Sequence, residues 1–114
     1  MIQGARYVHT NLVARDWRAL ATFYERTLGC TPVPPTRDFA GPVLEAGTGV
    51  RGASLQGVHL RLPGYTDKGP TLEIFTYSTM AESRFPQVNG PGFGHIAFSV
   101  ASVIDARQEM TAAG

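Results

Sequence analysis

At 114 residues and 12.3 kDa the chain has the length of one domain and not of two. Ten Lys and Arg against nine Asp and Glu leave a net charge of +1, which argues against nucleic acid as a partner, and a single Cys excludes an intrachain disulfide or a Cys-based zinc site. The 43% hydrophobic and 17% charged composition is that of a globular chain, with no apolar run near the ~20 residues of a membrane span and no signal-peptide core in Met1–Arg6, so a soluble cytoplasmic protein away from membranes is expected.

The first element reads as a strand over Ala5–Val13. Tyr7, His9, Asn11 and Val13 share one face, and Val8, Thr10 and Leu12 the other. A helix from Trp17 to Leu28 follows. Asp16 suits its N-cap, Trp17, Leu20, Ala21, Tyr24 and Leu28 form its apolar stripe, and Gly29 suits its end. Pro32, Pro34 and Pro35 forbid a helix after Thr31 and suit a short edge strand or loop. A single helical turn is expected around Val43 and Leu44.

Two strands come next. Over Ala53–Leu62, Gln56, Val58, Leu60 and Leu62 alternate with Leu55, Gly57, His59 and Arg61. Pro63-Gly64 and Asp67-Lys68-Gly69-Pro70 mark a turn. Over Thr71–Tyr77, Thr71, Glu73, Phe75 and Tyr77 oppose Leu72, Ile74 and Thr76. After a Gly- and Pro-rich connector, a strand over Gly94–Val100 places His95, Ala97 and Ser99 opposite Ile96, Phe98 and Val100. Ser102 then caps a helix with Val103, Ala106, Met110 and Ala113 at helical spacing.

The end of the chain repeats its beginning. Tyr7 and Phe93, His9 and His95, Leu12 and Phe98, Asp16 and Ser102, and Leu20 and Ala106 all fall in one register, offset by 86 residues. A strand, a cap and a helical stripe recur in phase, with a histidine at the same place in each. After the first helix three further strands are expected. After the second the sequence stops.

These residues carry a resemblance. Tyr7-Val8-His9-Thr10-Asn11-Leu12, Phe23-Tyr24 through Leu28-Gly29, Thr71-Leu72-Glu73-Ile74-Phe75 and above all Gly94-His95-Ile96-Ala97-Phe98-Ser99-Val100 resemble the vicinal oxygen chelate superfamily. That superfamily includes glyoxalase I, methylmalonyl-CoA epimerase, extradiol dioxygenases, and the fosfomycin and bleomycin resistance proteins. The resemblance implies an α+β fold of βαβββ modules around a metal and substrate cavity. The whole chain, 1–114, would be one glyoxalase-like domain, with a first module over 5–77 and the start of a second over 93–114, truncated after its strand and helix. It also implies metal ligands at His9, Glu73 and His95. The family's fourth ligand, a glutamate on an eighth strand, would lie beyond Gly114.

Side-chain chemistry agrees with that donor set. All three residues lie opposite the faces that helices would cover, formed by Val8, Leu12, Leu72, Ile74, Ile96, Phe98 and Val100. Two imidazoles and a carboxylate suit a divalent transition metal such as zinc, nickel, iron, cobalt or manganese, with open positions for substrate. Taken singly, a strand histidine is more often a hydrogen-bonded core residue than a ligand. Tyr7, Asn11, Phe75, Tyr77 and Ser99 would line the same cavity as substrate contacts, or pack as plain core. His59 is either a half-buried strand residue or a further substrate contact, and Arg61 would then meet an anionic group.

The activity the resemblance implies is that of a metal-dependent lyase or isomerase of the glyoxalase or epimerase type. It would act on a small oxygen-chelating substrate through a metal-stabilised enediolate, with Glu73 as ligand and catalytic base. A metal-dependent dioxygenase and a metal-free drug-binding protein of the bleomycin-resistance type are the alternatives. Unpaired sheet edges in an incomplete second module would favour a homodimer, with modules exchanged between copies.

Overall fold

A computed structural model describes every residue of 1–114 except Asp67 and Arg84, so Asp67 of the expected turn lies outside the described residues. The chain divides into two units, 1–80 and 81–114.

In the first unit, β1 (His9–Val13) leads into α1 (Trp17–Leu28), then β2 (Thr31–Ala40), α2 (Pro42–Thr48), β3 (Ser54–Arg61) and β4 (Thr71–Tyr77). The fold class is α+β, a βαβββ module with a short helix between its second and third strands. The four strands form one sheet in the order β1-β4-β3-β2. β1 runs parallel to β4, and the other two pairings are antiparallel.

Local chemistry sets the bounds of α1. The Asp16 carboxylate accepts from the Arg18 and Ala19 amides at 3.0 and 3.1 Å, satisfying N–H groups that the first helical turn leaves without a partner. Gly29 closes the helix at φ 68°, a left-handed conformation that costs glycine nothing. The apolar stripe of α1 packs on β3 and β4. Ala21, Cys30, Val58, Leu60, Leu72 and Ile74 form the buried core there, flanked by Leu12, Trp17, Leu20, Tyr24 and Leu28. Leu60 and Ile74 are 0% exposed. Strand alternation therefore sends every second residue of β3 and β4 into this core and the others to the opposite face.

Three expectations are corrected. The prolines after Thr31 do not confine the segment to a short strand: β2 runs ten residues along the edge of the sheet, because an edge strand needs donors on one side only. The expected turn at Val43 and Leu44 is the seven-residue α2, with Pro42 in its first turn, where no amide is required. β1 starts at His9 rather than Ala5, and Val8 is 57% exposed rather than helix-covered.

The second unit departs furthest from expectation. α3 (Val103–Ala113) forms as the spacing predicts, and the Ser102 hydroxyl accepts from the Asp105 amide at 3.2 Å. The expected strand at Gly94–Val100 does not form, and Ile96 and Val100 are exposed rather than covered. A strand exists only through its ladder partner, and the described residues of this unit contain no second extended segment. Among the described residues no helix is long and apolar enough to cross a membrane.

Candidate metal centre

The face of the sheet opposite α1 is built in rows fixed by strand register. Asn11, Glu73, His59 and Val33 lie side by side across β1, β4, β3 and β2. Next to them run His9, Thr71, Arg61 and Thr31, and on the other side Val13, Phe75, Gly57 and Arg37. β2 spends the four steps from Val33 to Arg37 against the two from His59 to Gly57. That even surplus keeps Arg37 on the same face as Val33. Gly57 is required where it stands, because a Cβ there would sit 2.0 Å from the Ile74 carbonyl oxygen and 2.4 Å from the Phe75 ring.

His9, His59 and Glu73 meet on this face, with one ligand atom from each all within 4.8 Å of one another. Glu73 Oε2 is 2.8 Å from His59 Nε2 and 3.7 Å from His9 Nε2. The two imidazole rings stand edge to face, 5.4 Å apart. Glu73 Oε1 accepts from Asn11 Nδ2 at 2.9 Å, so a neighbouring side chain holds the carboxylate in place. His59 Nδ1 lies 2.9 Å from the Thr71 hydroxyl, and Phe75 packs edge-on against its ring. Burial is the main cause that lowers the His59 pKa below the ordinary histidine value. The Glu73 carboxylate opposes that shift, while Arg37 and His9 add to it. At 2.8 Å from a carboxylate oxygen, His59 Nε2 is the donor to Glu73, and Nδ1 shares a hydrogen bond with the Thr71 hydroxyl.

This donor set fits a divalent transition metal. Ligand atoms on one ion at about 2.1 Å stand roughly 3 to 3.5 Å apart, a spacing that the 2.8 and 3.7 Å from Glu73 Oε2 to the two imidazole nitrogens bracket. The Thr71 hydroxyl can accept from Nδ1–H as readily as it donates, so His59 can present the Nε2 lone pair without moving its ring.

Of the residues singled out from the sequence, His9, Glu73, Asn11, His59 and Phe75 are brought together here. Arg61 is half-buried beside them, and Tyr7 is exposed with its hydroxyl bonded to that of Thr10. Tyr77 lies farther along the same face, paired with Leu55. His95 and Ser99 belong to the second unit, where both are exposed on the segment without strand pairing, and their assignment rests on the resemblance alone. From sequence, His59 reads as a half-buried strand residue or a substrate contact, and not as a ligand. Its alternation with Val58 and Leu60 puts it on the face of Glu73, but register alone makes them neighbours. Arg37 escapes a reading of the sequence because the prolines hide the length of β2.

The four-stranded sheet, its parallel β1–β4 pair and this row of histidines and carboxylate define a module of the glyoxalase type. Residues 6–114 match the family model of the Glyoxalase/Bleomycin resistance protein/Dioxygenase superfamily, and the chain belongs to that superfamily. Its fold is similar to that of a glyoxalase family protein from Bacillus cereus, with a TM-score of 0.82 and 18% identity over 100% of this chain and 76% of that one. A glyoxylase/bleomycin resistance protein/dioxygenase domain from Frankia sp. EAN1pec gives 0.57 and 22% over 98% and 73%. The fosfomycin resistance protein FosX from Listeria monocytogenes, complexed with Mn(II) and sulfate, gives 0.52 and 14% over 98% and 72%. No curated protein matches the sequence significantly.

Proposed function

We propose that the chain is a metal-dependent lyase or isomerase of the glyoxalase and epimerase type. The observation that carries this reading is the convergence of His9, His59 and Glu73 within 4.8 Å on a sheet face that α1 does not cover. The Mn(II) complex of FosX supports a divalent ion on this fold. His95 enters by resemblance, as the residue that repeats His9.

A bound divalent metal would supply Lewis-acid polarisation of two neighbouring substrate oxygens. The chain's own groups would do the rest. Glu73 Oε2 is the atom placed to take a proton from the carbon beside a polarised carbonyl and to return it to the product. Asn11 keeps that carboxylate pointing across the face, and His59, its ring held through Nδ1 by the Thr71 hydroxyl, would present Nε2 to the ion. Phe75 and Tyr77 provide the apolar wall of a small-molecule site. A homodimer with exchanged modules is part of the proposal, and a monomer in sedimentation would remove that part.

Elemental analysis of the purified chain tests the metal. One divalent ion per chain is expected, lost in the His9→Ala/His95→Ala double variant, and full retention by that variant would sink the ligand assignment. Exchange of solvent deuterium into an α-hydroxyketone or an acyl thioester tests the chemistry. Glu73→Gln should slow it by about 10²- to 10⁴-fold. Iron-dependent oxygen uptake with a catechol would instead favour the dioxygenase alternative. Thermal stabilisation by bleomycin after chelation would favour drug binding.

A further inference from the structure

A cleft of about 270 Å³ opens beside His59 in the first unit. Its described lining includes four cationic side chains, Arg6, Arg37, Arg61 and Lys68, and no carboxylate. They come from four places: the lead into β1, β2, β3 and the loop before β4. Sheet register brings the two strand-borne cations together. Arg61 pairs with Thr71 and Arg37 with Gly57, on the same face as His59.

Arg37 and Arg61 are half-buried, yet among the described residues neither is ion-paired with a carboxylate. The Arg37 guanidinium donates to the Pro35 carbonyl. Withdrawing guanidinium groups from water costs free energy that a neutral carbonyl repays only in part. Like charges gathered around one small cleft add repulsion, which a multiply charged anion relieves. Guanidinium groups also offer forked donors that match the oxygens of such an anion.

We infer that this cleft binds the charged end of the substrate, a compact dianionic phosphoryl or phosphonyl group, through Arg37 and Arg61 with Arg6 and Lys68 at its mouth. The volume is too small for a whole drug-sized molecule and sufficient for such a group. Thr71 and His59 border both the cleft and the Glu73 cluster. An anion held here would therefore extend the rest of its molecule toward Glu73, over the aromatic side of the face. The inference rests on the proposal that this face receives substrate, and it requires no metal.

Inorganic phosphate titrated into the full-length, chelator-treated chain, followed by calorimetry in a phosphate-free buffer, is the test. Phosphate should bind, more weakly as salt rises, and acetate should bind at least about 10-fold less tightly. Arg37→Gln and Arg61→Gln should each weaken phosphate binding by about 10-fold or more, the loss of a charge-assisted hydrogen bond. Arg51→Gln, outside the cleft, should leave it within about 2-fold, and unchanged melting of all three variants guards against misfolding. Absence of phosphate binding, or equal binding by both cleft variants and the wild type, overturns the inference, and equal affinity for acetate overturns the dianion. Because the titration uses chelator-treated chain, loss of the metal proposal leaves this result standing. A metal-binding chain that ignores phosphate would refute the cleft alone.

Discussion

The segment from His9 to Leu28 and the segment from His95 to Gly114 carry the same pattern, and only one of them becomes strand plus helix. Their helix starts are near copies. Asp16 sits at φ −134°, ψ 99° and Ser102 at φ −139°, ψ 116°, and each accepts from amides of the first turn. Their strands differ. His9–Val13 pairs with β4 along five residues, whereas the matching stretch in the second unit has no ladder and leaves Ile96 39% and Val100 40% exposed. The helices differ in the same sense: Ala21 of α1 is buried, and no residue of α3 is. Capping and helical periodicity act within a few residues, so they work wherever the pattern occurs. A strand and a buried face need a partner surface, and a repeat of sequence does not supply one.

Four measurements would break or sharpen that contrast. The largest effect is expected from core truncation. Leu60→Ala should cost about 2–5 kcal/mol in denaturant unfolding, while Ile104→Ala on the exposed face of α3 should stay within about 0.5 kcal/mol. Comparable losses would mean that α3 is buried in solution. Next, Gly57→Ala drives a methyl into the backbone of β4 and should cost about 1–3 kcal/mol, with a shifted Phe75 ring visible by NMR. A neutral result would show that the sheet gives way at that point.

Loss of a cap comes third. Asp16→Ala removes two hydrogen bonds to α1 and should lower stability by about 1 kcal/mol, whereas Ser102→Ala removes one from a helix that buries nothing and should register mainly as fraying of α3 in circular dichroism. Equal losses of global stability would erase the distinction between the units.

The smallest effect concerns Cys30, which closes the core behind α1. Burial, with a smaller push from the Glu25 charge, raises its thiol pKa above the ordinary value. The folded state therefore disfavours the thiolate. The associated stability is present below the unfolded thiol pKa, and is lost as pH rises from there through the higher folded value. Native chain at pH 8 should react with iodoacetamide far more slowly than unfolded chain, and similar rates would place Cys30 outside the core.

Much of the site is legible in the order of residues. Alternation alone puts His9, Asn11, Glu73, Phe75, His59 and Arg61 on faces opposite the core, because a strand's side-chain period is fixed at two. What alternation cannot supply is register. Glu73 and His59 become neighbours through the β3–β4 pairing, and Asn11 meets Glu73 through the parallel β1–β4 pair. Arg37 reaches the face only because β2 absorbs an even number of extra residues around its prolines.

The sequence by itself therefore determined α1 with both its ends, the cap of α3, and the two-sided character of β3 and β4. Each follows from interactions a few residues long: a carboxylate or hydroxyl meeting nearby amides, a glycine free to turn left-handed, a period of 2 or 3.6. Tertiary structure alone decided that Ala5–Val8 and Gly94–Val100 are not strands, that His59 joins His9 and Glu73, and that two half-buried arginines face one cleft. Those outcomes depend on which backbone lies beside which, and hydrogen bonds between strands distant in the chain settle that.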